Sequence, residues 1–361
     1  MGINTSILAN SYSTDSEDGV LALIQTQQDD PEKINSPLFK EIKTGKIISL
    51  SPEEKKRVIE LVNNLYEPSY QPVTPMSLVA LPSLPSSVSL GMNGVPVLDQ
   101  RQVGSCGVFA ATAALDALYG KGDYISQLCY IEERPLCAEG VACDIRDIIP
   151  ELKEKGVFSK KYEQQYGCEG WYQYPERGTS SSFPKMPEEE YKQHSEKIFE
   201  KLIINSMTYH PGDDVLAEVK QALFNKHRIV TALLLNAELT NEGAAGRYYP
   251  KKSTGIVSRL MDLLGDDSSF NTPPPNSWVL TDGMNINTGE WGAHYLVITG
   301  YDDNAVINSA LRQKGVLTLR NSWGKNAGDN GDFYVSYDYF KAFGREMVEV
   351  SFPDLNPGDS T

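Results

Sequence analysis

The chain has 361 residues, enough for one large domain or two lobes around a real core. Hydrophobic residues make up 40%, the level of an ordinary globular protein, and no apolar run reaches membrane-spanning length. A net charge of −15 argues against a surface built for nucleic acid or an anionic membrane.

Residues 1 to about 50 are polar and weakly periodic. No secretory leader opens them: the early apolar run Val20 to Ile24 follows Asp15, Glu17 and Asp18 rather than basic residues. Met1-Gly2 with Ser6 formally fits a myristoylation pattern, but the pattern is short enough to arise by chance. Ser51-Pro52-Glu53-Glu54 predicts a helix start, with a capping side chain, proline at the first helical position and acids in the first turn. That helix runs over 51–66 with Val58, Leu61, Val62 and Leu65 on one face. Five prolines (Pro68, Pro72, Pro75, Pro82, Pro85) then predict an extended connector. Residues 1–83 therefore read as an N-terminal extension, 84–355 as the main domain and 356–361 as a tail.

Cys106 to Tyr119 is an alanine-rich apolar run with one charge, Asp116, and predicts a buried helix closed by Gly120 and Gly122. Cys106 opens it, just after a glycine turn. A helix N-terminus carries partial positive charge and free N–H groups, which favour a thiolate over a thiol. A small hydrophobe in a core helix is the plain alternative for such a cysteine. Asp144 to Glu154 has helical spacing (Ile145, Ile148, Ile149, Leu152) and ends at Gly156, while Tyr162 to Tyr191 reads as irregular. Lys201 to Tyr209 predicts a strand, Asp213 to Asn225 a helix and Ile229 to Leu235 a strand. Residues 238–290 are rich in glycine, proline and serine and predict a long insertion at the surface or over a cleft. Tyr295 to Tyr301, Gly315 to Asn321, Asp332 to Tyr337 and Glu346 to Phe352 predict strands. Helices first and antiparallel strands later give an α+β, two-lobe class.

Of five cysteines, Cys129, Cys137, Cys143 and Cys168 crowd together without C-x-x-C spacing or interleaved histidine, so no metal is expected. They can form two disulfides in three connectivities, leaving Cys106 as the odd thiol, or all stay reduced. Disulfides would imply an oxidising compartment, hence a secreted or periplasmic protein, with delivery into a host cell as a variant.

Four pieces stand out in order: D-Q-R-Q-V-G-S-C with Gln100 six residues before Cys106; W-G-A-H-Y-L-V-I-T-G-Y with His294; L-R-N-S-W-G with Asn321 and Trp323; and the glycine-rich turn Gly324 to Gly331. Among four histidines, His194 lies in a charged stretch, His210 precedes a proline and His227 sits between Lys226 and Arg228. His294 alone follows small residues, Gly292 and Ala293, at a predicted strand start, where it can serve as base for the thiol. Asn321 can orient the imidazole, and Trp323 can shield that hydrogen bond or simply pack in the core.

Together these pieces resemble the papain-like cysteine peptidases over roughly Leu84 to Val350. I-S-Q-L-C-Y, A-C-D-I-R-D-I-I-P-E-L-K-E-K-G-V and Y-D-Y-F resemble bacterial members. The resemblance implies a two-lobe fold, a helical lobe bearing the nucleophile and an antiparallel, barrel-like β lobe. It also implies an endopeptidase without cofactor, acting as a monomer on protein or peptide substrates. Cys106 would be the nucleophile, His294 the acid and base, Asn321 the orienter, and Gln100 with the Cys106 N–H the oxyanion hole. Ser105, Ala142, Cys143 and Ala293 would face substrate. Residues 1–83 would be a prosegment able to inhibit the chain's own site; Glu53, Arg57, Leu61 and Asn64 echo part of the family's propeptide signature. A glutamine deamidase or transamidase on the same groups, or a binding protein without turnover, are the competing functions.

The sequence also departs from the family pattern. Gly107 stands where tryptophan is usual, Val103 where a disulfide cysteine is usual, and Ala293 where aspartate or asparagine is common. His294 follows Cys106 by 188 residues rather than roughly 130–150, and 238–290 accounts for much of the excess.

Overall fold

A computed structural model describes residues 84–101, 103–134, 137, 144–166, 168, 186–207, 215–236, 276–279, 291–308 and 313–353, together with 48–49, 56 and 244–245. The expected helix over 51–66, the connector, most of the 238–290 insertion, Ala142, Cys143 and the tail lie outside the described residues.

Helix α1 (Cys106–Tyr119) is buried along nearly its whole length, because alanine and glycine let neighbours approach from every side. Gly120 ends it in the left-handed region (φ +76°), and its N–H caps Asp116 O. Helix α2 (Gln127–Glu133) starts at Ser126, whose side chain accepts from Cys129 N–H. Helix α3 (Ile145–Lys155) is capped by Asp144, buries Ile145, Ile148, Ile149 and Leu152, and stops at Gly156. Helices α4 (Lys160–Tyr166) and α5 (Glu188–His194) overlap the two ends of the stretch that pattern alone leaves irregular. Each is seven residues long, too short for periodicity to register, and tertiary contacts hold them. Tyr191 of α5, for example, stacks edge-on against Phe158 and donates to Gly156 O.

The strands are β1 (Ile48–Ser49), β2 (Ser87–Ser89), β3 (Ile203–Met207), β4 (Arg228–Asn236), β5 (Ala244–Ala245), β6 (Ser277–Trp278), β7 (Trp291–Asn308), β8 (Gln313–Arg320), β9 (Asp332–Ser336) and β10 (Gly344–Ser351). Helix α6 (Val215–Phe224) precedes β4, and α7 (Tyr337–Phe343) lies between β9 and β10. The strands join one sheet in the order β3-β10-β4-β7-β8-β9-β6-β5, with β1 and β2 both on β7. Most pairings are antiparallel; β5–β6 and β6–β9 are parallel. Helix and sheet share one apolar core, which is the expected α+β class.

Two details differ from the sequence expectation. Strand β7 starts at Trp291, so His294 sits inside it and not at its head. The cause is β4, whose register runs on to Leu235↔Gly292 and Asn236↔Trp291. Tyr337 opens α7 instead of closing a strand, because the Ser336 side chain accepts from Tyr339 N–H and caps a helix there. Of the cysteine connectivities left open, Cys129–Cys168 forms, Cys137 is also disulfide-bonded, and Cys106 is a free, buried thiol. No helix among the described residues is long and apolar enough to cross a membrane.

Candidate active site

Residues 98–100 run antiparallel beside 322–324. Gln100 N–H donates to Ser322 O at 2.8 Å, Gly324 N–H donates to Leu98 O at 3.0 Å, and Asp99 bridges Trp323. Two glycines permit this closeness. Gly324 has φ +80°, and a Cβ there would sit 3.1 Å from the Asp99 carboxylate. A Cβ on Gly331 would sit 2.3 Å from Val97 Cγ1. Two motifs far apart in sequence, D-Q-R-Q and N-S-W-G, thereby become one backbone unit. The Gln100 side chain is fixed inside it: Oε1 accepts from Ser322 Oγ at 2.7 Å, and Nε2 donates to Val103 O at 2.8 Å.

His294 and Asn321 lie on the paired strand β7 and just past β8. Their side chains meet at 2.7 Å, Nε2 to Oδ1. The Ser322 backbone N–H donates to the same Asn321 atom at 2.7 Å. An N–H must meet an acceptor, so that atom is the amide oxygen, and His294 Nε2 carries the hydrogen it offers. In the neutral ring this leaves Nδ1 as the basic nitrogen. Trp323 stacks on the imidazole, with centroids 4.5 Å apart at 24°. Phe333 meets Trp323 edge-on, and Trp278 stacks on Phe333. The imidazole–amide bond is thus sealed from water, which strengthens it and fixes the ring.

Cys106 is the first residue of α1, and its sulfur faces the backbone N–H groups of Tyr295, Gly107 and Cys106 itself. It therefore packs against the strand that carries His294. Both Cys106 and His294 are 0% exposed. Burial pushes the thiol up to about 11, and the three N–H groups offset only part of that. This corrects the expectation that the helix terminus makes a ready thiolate. Desolvation outweighs the helix end while the site is closed, because a bare sulfur anion loses more hydration than a few N–H groups return.

The other predicted residues fall as follows. Gln100, Trp323, Ser105 and Ala293 are all buried next to these groups in sequence or in space. Ser105 holds the N-cap position of α1 without a side-chain cap bond. Ala293 pairs with Leu234 on one side and with Ile48 of β1 on the other. Strand β1 so lies along Gly292 and Ala293, the two residues before His294. Gly107 is buried in α1. His227 is engaged elsewhere, with Nδ1 2.6 Å from Glu349. Motif reading missed Ser322, which serves both Gln100 and Asn321, although it stood between two residues already singled out. It also missed Tyr295, for which the sequence carries no signal beyond strand alternation.

A thiol packed on the strand of an imidazole whose tautomer is set, with the Gln100 amide fixed on the same hydrogen-bonded run as that imidazole, is the set of groups that acyl transfer through a thioester uses. No protein-family model and no curated protein matches the chain. Among solved structures it is similar to xylellain, a cysteine protease from Xylella fastidiosa (20% identity, 80% of this chain and 95% of that one, TM-score 0.47). It is also similar to the Amb a 11 cysteine protease, a ragweed pollen allergen, in its proform (15%, 94% and 94%, 0.45). A third is digestive procathepsin L 3 of Tenebrio molitor larval midgut (15%, 94% and 100%, 0.43). The chemistry of this chain rests on its own side chains, not on those likenesses.

Proposed function

We propose that the chain is a cysteine endopeptidase of papain-like type. The observation that carries this reading is the double use of Asn321 Oδ1, by His294 Nε2–H and by Ser322 N–H, beside a free thiol at a helix start. Cys106 gives its proton to His294 Nδ1, and the thiolate attacks the scissile carbonyl carbon. The Gln100 amide and the Cys106 N–H receive the charge that builds on oxygen. His294 then hands its proton to the departing amine. A water deprotonated by His294 attacks the thioester carbonyl, releasing the acid and restoring the thiol. Ser105, Ala293, Ala142 and Cys143 line the substrate side in this reading.

The N-terminal extension is the proposed brake. Strand β1 covers Gly292 and Ala293, and the thiol is buried and protonated in that state. Removing residues 1–83 opens the site to substrate and water. The disulfide Cys129–Cys168 supports maturation in an oxidising compartment, hence export.

The test is peptide-library cleavage by the full chain, by a chain beginning at Leu84, and by Cys106→Ala in each form. Cleavage that rises on truncation and vanishes in Cys106→Ala supports the proposal. A one-dalton change on substrate glutamine without chain cleavage would replace it with deamidation. No turnover in either form leaves a binding protein.

A further inference from the structure

Glu346 sits where β10 breaks register against β4, between Arg345 and Met347. Its φ is +38°, a backbone conformation that residues other than glycine adopt at a cost. Bulges of this kind re-aim a side chain, and here the carboxylate turns inward until it is 8% exposed. Tyr295 O–H donates to Oε2 at 2.5 Å, and an Arg146 Nη2–H donates to Oε1 at 2.8 Å. Asp144, the N-cap of α3, holds the same guanidinium through Nε at 2.9 and 2.8 Å. One carboxylate thereby ties β10, β7 and α3 together.

The arrangement is expensive for mere packing. Burial, and after it the Asp144 charge, push Glu346 up to about 7; Tyr295 and Arg146 offset this, and Asp147 adds to it. An apolar residue of similar size commonly holds such a position at lower cost. What Glu346 grips is distinctive. Tyr295 follows His294 directly, and its backbone N–H faces the Cys106 sulfur. Tyr295 lines a small cavity together with Phe109 of α1, Asn321 and Ser322. The Tyr295 side chain and main chain so point to opposite ends of one lever.

We propose that Glu346 is a positioning residue for the thiol–imidazole pair: by holding the Tyr295 hydroxyl it keeps the Tyr295 N–H on Cys106 and His294 in register with Asn321. This role rests on the peptidase reading above, and no contact of Glu346 with substrate is implied.

The test uses the full chain without substrate. NMR of ring-labelled histidine follows the His294 titration and its Nε2–H signal, assigned by their loss in His294→Ala. Tyr295→Phe and Glu346→Ala are expected to change the His294 ionisation constant about tenfold, one pKa unit. Both should broaden the Nε2–H signal. Glu346→Gln, which still accepts from the tyrosine, is expected to stay within about twofold, a fraction of a pKa unit. Melting temperatures are measured alongside. Unchanged titration and Nε2–H signal in Tyr295→Phe, whatever happens to its melting temperature, overturns the proposal and leaves Glu346 structural. If Glu346→Ala does not fold, Tyr295→Phe decides alone, since it removes one oxygen and leaves Arg146 paired. Cys106→Ala separates the two readings: if it leaves the His294 titration unmoved, thiol and imidazole are uncoupled and the peptidase reading itself fails.

Discussion

The two halves of the site are held by different forces. On the sheet side, His294, Asn321, Ser322 and Gln100 form a continuous hydrogen-bonded run that ties two distant segments together. On the helix side, Cys106 rests in an apolar helix with its thiol pushed up to about 11 by burial. In the proposed mechanism, the groups that need a fixed orientation are thus preorganised, while the group that needs charge is kept without it. A hydrogen-bonded frame keeps its geometry through a change in solvent access; a desolvated thiol does not keep its pKa. In the proposed enzyme, activation therefore requires uncovering more than rearrangement.

Breaking either half outright gives the largest expected effect. Cys106→Ala and His294→Ala should each lower cleavage by the truncated chain about a thousandfold or more. Retained cleavage in either would end the comparison. Gln100→Ala should cost about a hundredfold in kcat with little change in KM, since its donor acts on charge that exists only in the transition state. Uncovering the thiol should speed alkylation of Cys106 by iodoacetamide at neutral pH by up to about a hundredfold, as two pKa units of burial are relieved. Equal rates with and without residues 1–83 would show that β1 does not control access. Ser322→Ala removes one partner of Gln100, a net hydrogen bond of about 1 kcal/mol, and should slow turnover about fivefold.

The smallest effect concerns pH and the helix frame. Asp116 lies inside α1 and accepts from Tyr124 and Ile125 N–H, and burial pushes it up to about 7. Glu132 is pushed up to about 7 in the same way. A carboxyl raised in the folded state stabilises fully below its unfolded pKa, near 4, and that contribution is lost as pH rises through about 7. The melting temperature should therefore fall between about pH 4 and pH 7 and level off above. Asp116→Asn should flatten the fall by a few degrees, read by calorimetry; an unchanged slope would mean that Asp116 does not contribute to it.

Much of the frame was legible before any coordinates. Cys106 to Tyr119 read as a buried helix, since its alanine-rich apolar composition suits a helix, is too small-residued for a strand and ends at a glycine stop. The spacing of Ile145, Ile148, Ile149 and Leu152 and the stop at Gly156 marked out α3. Of the singled-out residues Gln100, Cys106, His294 and Asn321, the fold joins Gln100, His294 and Asn321 through Ser322 and sets Cys106 against Tyr295. Helices α4 and α5 were not legible because seven residues supply too few turns for a period. Ser322 was passed over because serine in a turn is ordinary until its two partners are known.

Local sequence determined which residues could do chemistry and where α1 and α3 begin and end, because capping, helix propensity and glycine conformation act over a few neighbours. Only the tertiary structure decided their state. Burial of Cys106, the tautomer of His294 and the inward turn of Glu346 at a bulge each depend on groups dozens to hundreds of residues away. Desolvation and hydrogen-bond partnership are set by what the folded chain brings near, and no local pattern encodes them.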